Sequence, residues 1–247
     1  MKKLFLILFC LLLSALVFAQ NITLNAKLDE LKVTPPKFTA VINNNTYDQM
    51  TTNELLTLYF SENLQCPASV KDQNIEGTEL ISFVVTSEGN ITDIEILNSV
   101  CRAADEEMSR VLATTNGMWQ PAMKDEKPVA MEHEIALFIH CSDNPGNIGE
   151  RFKEKATASF LKGCEKLIIQ QKPRRALASF NQGVKYLPYE KNLLFMRGLA
   201  YYELGKTEAA RRDWNRIVSM GGIDFTEIAA DFSHMKGYGE VSEMLMK

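Results

Sequence analysis

Residues Gly77 to Leu97 read GTELISFVVTSEGNITDIEIL, and the reading of this stretch decides the fold. Two runs rich in β-branched and aromatic residues meet at Ser87-Glu88-Gly89-Asn90. Ile81, Phe83 and Val85 alternate in the first run, and Ile94 and Ile96 in the second. The break holds a glycine that can adopt positive φ, so the pattern predicts a β-hairpin. Leu80 and Val84 put apolar residues on the other face of the first strand, which predicts that it is central in its sheet.

Outward from the hairpin, more signals stand in order. Before it come Cys66-Pro67-Ala68. After it come Asp105-Glu106-Glu107, then Gly117-Met118-Trp119-Gln120-Pro121-Ala122, then Lys127-Pro128-Val129 and an alternating run to Phe138. Thr51-x-x-Glu54 is a capping box that opens a helix with Leu55, Leu58, Tyr59 and Leu64 on its apolar side. Pro67 suits the first turn of a second, short helix. Ala104, Met108, Val111 and Leu112 fall at i, i+4, i+7 and i+8 of a helix over Arg102 to Thr115, which Gly117 can end. Trp119 is read as a core residue rather than a binding residue. Val129 to Cys141 is read as a third strand, with Ile135, Leu137 and Ile139 on one face and Glu132, Glu134 and His140 on the other.

Over about residues 35 to 141 this order resembles the C-terminal domain of the TonB family. The departure is Cys66, where that family usually has tyrosine. The resemblance implies an α+β fold, a three-stranded antiparallel sheet with two helices on one face. It also implies that the closing strand lies at the sheet edge, where an extended segment of a partner adds beside it. The partner-binding edge would be Ala130, Glu132, Glu134 and Ala136. Glu132 and Glu134 read as solvated edge charges that discourage aggregation, not as an acid/base pair.

The rest of the chain frames this domain. At 247 residues, with 46% hydrophobic and 23% charged residues, the chain has ordinary globular composition and length for one or two domains. Residues 1–19 read as a signal peptide: Lys2-Lys3, an apolar run from Leu4 to Phe18, and Val17-Phe18-Ala19 as the cleavage site. The rival is an uncleaved anchor, but the run is shorter than the roughly 17–25 residues a spanning helix needs. Cys10 lacks the small residues that precede a lipid-attachment cysteine. Cleavage removes Lys2 and Lys3 and takes the formal charge from −4 to −6, which argues against nonspecific nucleic-acid binding and against docking on an anionic membrane. Residues 20–50 read as an irregular lead-in, with a short helix near Lys27 to Leu31, and not as a long proline-rich spacer. Some thirty residues span at most roughly 100 Å when fully extended.

Residues 142–150, with Ser142-Asp143-Asn144-Pro145-Gly146, read as a linker before a helical C-terminal region, 151–247. Windows 157–190 and 191–224 agree at a spacing of 34. Cys164 and Gly198 take position 8, Ala176 and Ala210 position 20, Phe180 and Trp214 position 24. This resembles two tetratricopeptide (TPR) repeats, with Thr226 to Met246 as a cap. In that family the first helices line a concave groove, which here would use Ala158, Leu161, Glu165, Ile168 and Ile169, then Asn192, Phe195, Leu199, Tyr202 and Glu203.

Cys164 reads as a buried free thiol. In the topology implied by the TonB resemblance, Cys66, Cys101 and Cys141 come toward one end of the sheet. The favoured pairing is Cys66–Cys101, against no disulfide at all. His133 and His140 fall on opposite faces of a strand, so they share no metal, and the cysteines have no metal-site spacing. No nucleophile elbow or phosphate loop is present. The expectation is therefore a non-catalytic, cofactor-free envelope protein whose partners are other envelope proteins or extended peptide segments. It takes neither nucleic acid nor a small-molecule substrate. The rival is an anchored energy transducer that supports transport through outer-membrane receptors.

Overall fold

The computed structural model describes residues 33–40, 49–140, 146–222 and 235–245. They form two compact units, one from Leu28 to Glu150 and one dominated by Arg151 to Lys247. The signal peptide, the short helix near Lys27 and Cys141 lie outside the described residues.

In the first unit, α1 (Thr52–Asn63) starts with a complete capping box. Thr51 N–H donates to Glu54 Oε2 at 2.8 Å, and Glu54 N–H donates to Thr51 Oγ1 at 3.3 Å. Its buried face is Leu55, Leu56 and Phe60, so the stripe is turned from the expected one, and Leu58, Tyr59 and Leu64 pack at its margin. Pro67 caps α2 (Ala68–Asp72). Strands β3 (Gly77–Val85) and β4 (Ile91–Asn98) make the expected hairpin. Gly89 N–H donates to Thr86 O at 3.0 Å, and Gly89 has φ +80°. A Cβ at Gly89 would lie 2.2 Å from Trp119 O, so the turn needs glycine for two separate reasons. Asp93 has φ +51° at a register shift opposite Phe83, and this bulge leaves Ile94 exposed instead of alternating with Ile96. Helix α3 (Arg102–Ala113) buries Ala104, Met108, Val111 and Leu112 as expected.

The third long strand, β8 (Met131–Ile139), pairs antiparallel with β3 along its whole length, from Gly77 opposite Ile139 to Val85 opposite Met131. The sheet order is β4-β3-β8, so β3 is central. Ile81, Phe83 and Val85 of β3 and Ile135, Leu137 and Ile139 of β8 share one core with the inner faces of α1 and α3. That is an α+β unit with two helices on one side of an antiparallel sheet. Trp119 is buried and donates from Nε1 to Thr115 Oγ1 at 3.1 Å.

The lead-in is not irregular throughout. Strand β1 (Val33–Thr34) pairs with β6 (Ala122–Lys124), and β2 (Lys37–Phe38) pairs with β5 (Trp119–Gln120). Phe38 is 1% exposed and packs 5.0 Å from Trp119. The polar composition around Pro35-Pro36 hid Phe38 and its neighbour Ala40, both in the core. Strand β7 (Lys127–Val129) folds back on β6 through Asp125 and Glu126, both at positive φ. The chain then breaks at Ala130 before β8, so the expected single strand from Val129 is two.

The second unit is helical. Helix α4 (Ile148–Cys164) continues into a π turn (Glu165–Ile169), followed by α5 (Pro173–Tyr186), α6 (Lys191–Glu203), α7 (Thr207–Ser219) and α8 (Tyr238–Leu245). Ala176, Ala210, Phe180 and Trp214 are fully buried at the expected spacing. The small residues facing the two rings are Gly163 and Gly198, not Cys164 and Gly198. A Cβ at Gly163 would lie 2.4 Å from Phe180, and one at Gly198 would lie 2.1 Å from Trp214. Gly163 and Gly198 are 35 apart while Phe180 and Trp214 are 34 apart, so the first hairpin carries one extra residue. The π turn absorbs it, with Gln170 N–H donating to Glu165 O at 3.0 Å, five residues back.

A polar cluster ties α6 to α7. Arg197 Nε and Nη2 donate to Asp213 Oδ2 and Oδ1 at 2.7 and 2.6 Å, a bidentate pair that is largely buried. Burial pushes the Asp213 carboxyl up, and Arg197 opposes that shift. Lys191, itself buried, donates from Nζ to Gly222 O at 2.6 Å and fixes the chain after α7.

Candidate functional site: the open edge of β8

Period-two alternation sorts β8 into two faces. His133, Ile135, Leu137 and Ile139 turn to the core. Glu132, Glu134, Ala136 and Phe138 turn away from it, and Phe138 is 50% exposed. Ser82 Oγ of the central strand donates to Glu132 Oε1. One side of the β8 backbone is spent on β3. Among the described residues no strand pairs with its other side, because Val33–Thr34 and Lys37–Phe38 are engaged with β6 and β5. The outer side of β8 is thus a row of main-chain donors and acceptors with acidic side chains beside it. Of the expected edge residues, Glu132, Glu134 and Ala136 lie together on this strand. Ala130 does not, since it sits in the break between β7 and β8.

His133 is a residue whose role the sequence reading missed. It stands among core-facing positions, 5.5 Å from the Phe83 ring and 5.4 Å from the Trp119 ring. Its Nε2–H donates to Asn53 Oδ1 at 2.8 Å and ties the edge strand to the first turn of α1. Burial lowers its pKa from 6.5 to about 4, so it is neutral at pH 7. The signal was present: its odd number places it in phase with Ile135 and Leu137.

The predicted helical groove is corrected. Phe195 is 2% exposed and Leu199 fully buried, because α6 is enclosed on nearly every side. Tyr202 stacks on Trp214 at 5.8 Å and packs against Gly237, where a Cβ would come within 2.5 Å of its ring. Glu203 accepts from Lys236 N–H at 3.0 Å. Asn192 is bound to Glu190 through Nδ2 at 3.0 Å. Residues 236 and 237 therefore cover Tyr202 and Glu203. In the first half of the groove, Glu165 and Ile169 are exposed but lie on the π turn, out of helical phase with Ala158 and Leu161.

The cysteine pairing is corrected too. Cys66 is disulfide-bonded, while Cys101 is a free thiol, so the bond is not Cys66–Cys101. Cys101 is the N-cap residue of α3, with an extended backbone and no side-chain capping bond. The pairing could not be read from spacing, since five cysteines allow several pairings.

Residues 62–137 match the family model described as the Gram-negative bacterial TonB protein C-terminal. Among the curated proteins no relative matches. A solved structure that is similar is the NMR solution structure of a Helicobacter pylori TonB C-terminal domain. It is 20% identical, covers 34% of this chain and 89% of that chain, and has a TM-score of 0.27. The match runs from the last two residues of α1 to Leu137 of β8 and takes in the whole hairpin and Glu132 to Ala136 of the open edge. Residues 62–137 therefore carry a TonB C-terminal domain.

Proposed function

We propose that this chain is an exported cell-envelope protein that holds partner proteins and has no catalysis of its own. Its binding element is the outer side of β8, to which an extended partner segment adds as a further strand. The single observation that carries this reading is the sheet order β4-β3-β8 with the lead-in strands paired elsewhere. Strand addition takes its affinity from main-chain hydrogen bonds. Glu132 and Glu134 then select against acidic segments by like-charge repulsion.

The C-terminal helices read best as two TPR-type hairpins closed by α8. Support comes from buried Ala176 and Ala210 and from a glycine facing each of Phe180 and Trp214. Their role here is a scaffold. The rival reading, an anchored energy transducer, requires an uncleaved N-terminus. We expect N-terminal sequencing of envelope-fraction protein to start at Gln20, and a start at Met1 in the membrane pellet would favour the transducer.

Successive residues of a strand point their amides to opposite sides. Glu134→Pro and His133→Pro therefore remove donors on opposite sides of β8. One of the two breaks the ladder with β3, and the other removes only an outward donor. The expected result is one variant that melts like the parent yet loses partner capture. Hydrogen exchange on the isolated protein should find every second amide of 131–139 fast. If all of them are protected without a partner, the edge is closed and the reading is wrong.

A further inference from the structure

Beside the end of β8 lies a cavity of about 290 Å³. Its walls include Leu64 at the end of α1, Pro67 before α2, Met108 of α3, and Phe138, Ile139 and His140 in succession. Consecutive strand residues point to opposite faces, so a cavity touching 138, 139 and 140 must lie at the rim of the strand rather than on one face. Gly77 of β3 stands opposite Ile139 on the other side. The cavity therefore lies at the end of the strand whose outer side is the open edge.

We propose that this cavity is the anchor pocket for one aromatic side chain of the segment that adds to β8, an inference that rests on the strand-addition reading. Its size suits a single large side chain and falls at the bottom of the range for small-molecule sites. Its lining is mostly apolar. The carboxylate in its wall, Glu107, is already engaged: Arg110 Nη2 lies 2.6 Å from Oε1, and Gln65 N–H donates to the same atom at 2.7 Å. A charged occupant would therefore meet no free counter-charge there, whereas an aromatic ring would meet the apolar walls at Leu64, Pro67 and Phe138. His140 Nδ1 is buried with no hydrogen-bond partner among the described residues, which leaves one polar atom to orient the occupant or its main chain. Main-chain pairing along Glu132 to Ala136 needs little from particular side chains, and the pocket adds a side-chain preference to the charge selection by Glu132 and Glu134.

The test uses the full chain and two probes. N-acetyl-phenylalanine amide reports on the pocket alone, through NMR shifts. We expect saturable shifts at Leu64, Met108 and Phe138 to His140, abolished by Ser61→Trp, which fills the cavity from an exposed position and whose folding is checked by its melting curve. A short lysine-flanked peptide of alternating threonine and valine, carrying one phenylalanine, should bind about tenfold tighter than its alanine counterpart. Ser61→Trp should remove that difference and leave alanine-peptide binding unchanged. If the amide gives no saturable shift, the pocket is not an aromatic site, whatever the peptides do. If the two peptides bind equally and Glu134→Pro or His133→Pro blocks both, strand addition stands and the anchor is overturned. If the amide binds and neither peptide does, strand addition fails and the anchor role falls with it.

Discussion

Replacing His133 with phenylalanine should flatten the acid side of the stability profile. The imidazole lies against Phe83 and Trp119, and burial lowers its pKa from 6.5 to about 4. In the unfolded chain the imidazole takes up a proton as pH falls through 6.5, while the folded chain resists until about 4. The unfolded state therefore binds more protons in that window, and stability falls with falling pH. The contribution of His133 is complete above pH 6.5. With those two pKa values, the loss between pH 8 and pH 5 comes to about 2 kcal/mol, and by pH 4 it approaches about 3 kcal/mol. Urea unfolding of the parent and His133→Phe at a series of pH values measures this directly. Carboxylates titrate in both proteins and cancel in the difference. The variant loses the bond to Asn53 and starts from a lower stability, but the slope, not the level, is the readout. If the two profiles run parallel from pH 8 to pH 5, His133 is not buried in neutral form and the edge strand is not held to α1 as described.

Two further outcomes follow from the helical unit. Gly198→Ala puts a methyl group 2.1 Å from Trp214 Nε1, whose ring is fully buried, and should cost about 1–3 kcal/mol by chemical denaturation; an unchanged midpoint would mean that α6 and α7 are further apart. Arg197→Met leaves the buried Asp213 carboxylate without its bidentate partner and should destabilise by about 3 kcal/mol at pH 7, less at low pH where the carboxyl can protonate; a pH-independent loss would refute that account.

The hairpin, the capping box and the apolar stripe of α3 were legible because each is a local signal. A turn residue, a side chain reaching three residues back, or an i+4 spacing requires nothing from elsewhere in the chain. What escaped was set by distant contacts. Phe38 reaches the core only because β2 pairs with β5, some eighty residues on. Ile94 leaves its expected face because a bulge at Asp93 shifts the register. The one-residue slip at Gly163 is invisible to a fixed spacing of 34, since a π turn costs nothing in composition. In the candidate site, alternation put Glu132, Glu134 and Ala136 on one face, and the family resemblance put their strand at the sheet edge. The pocket was not legible, because its walls come from the end of α1, the loop before α2, α3 and a strand end, and Tyr202 and Glu203 of the supposed groove are covered by residues 236 and 237.

The pairing of Val33–Thr34 and Lys37–Phe38 with the strands after α3 bears on how the domain can be excised. The segment that matches the family begins at Glu62, yet Leu55, Leu56, Phe60 and Phe38 of the same core lie before it. A fragment cut at the family boundary would open a hole beside Trp119 and Phe83 and leave the ladder amides of β5 and β6 unpaired. The smallest piece able to stand alone begins no later than Val33. The sequence likeness thus marks a shorter stretch than the one that must fold together.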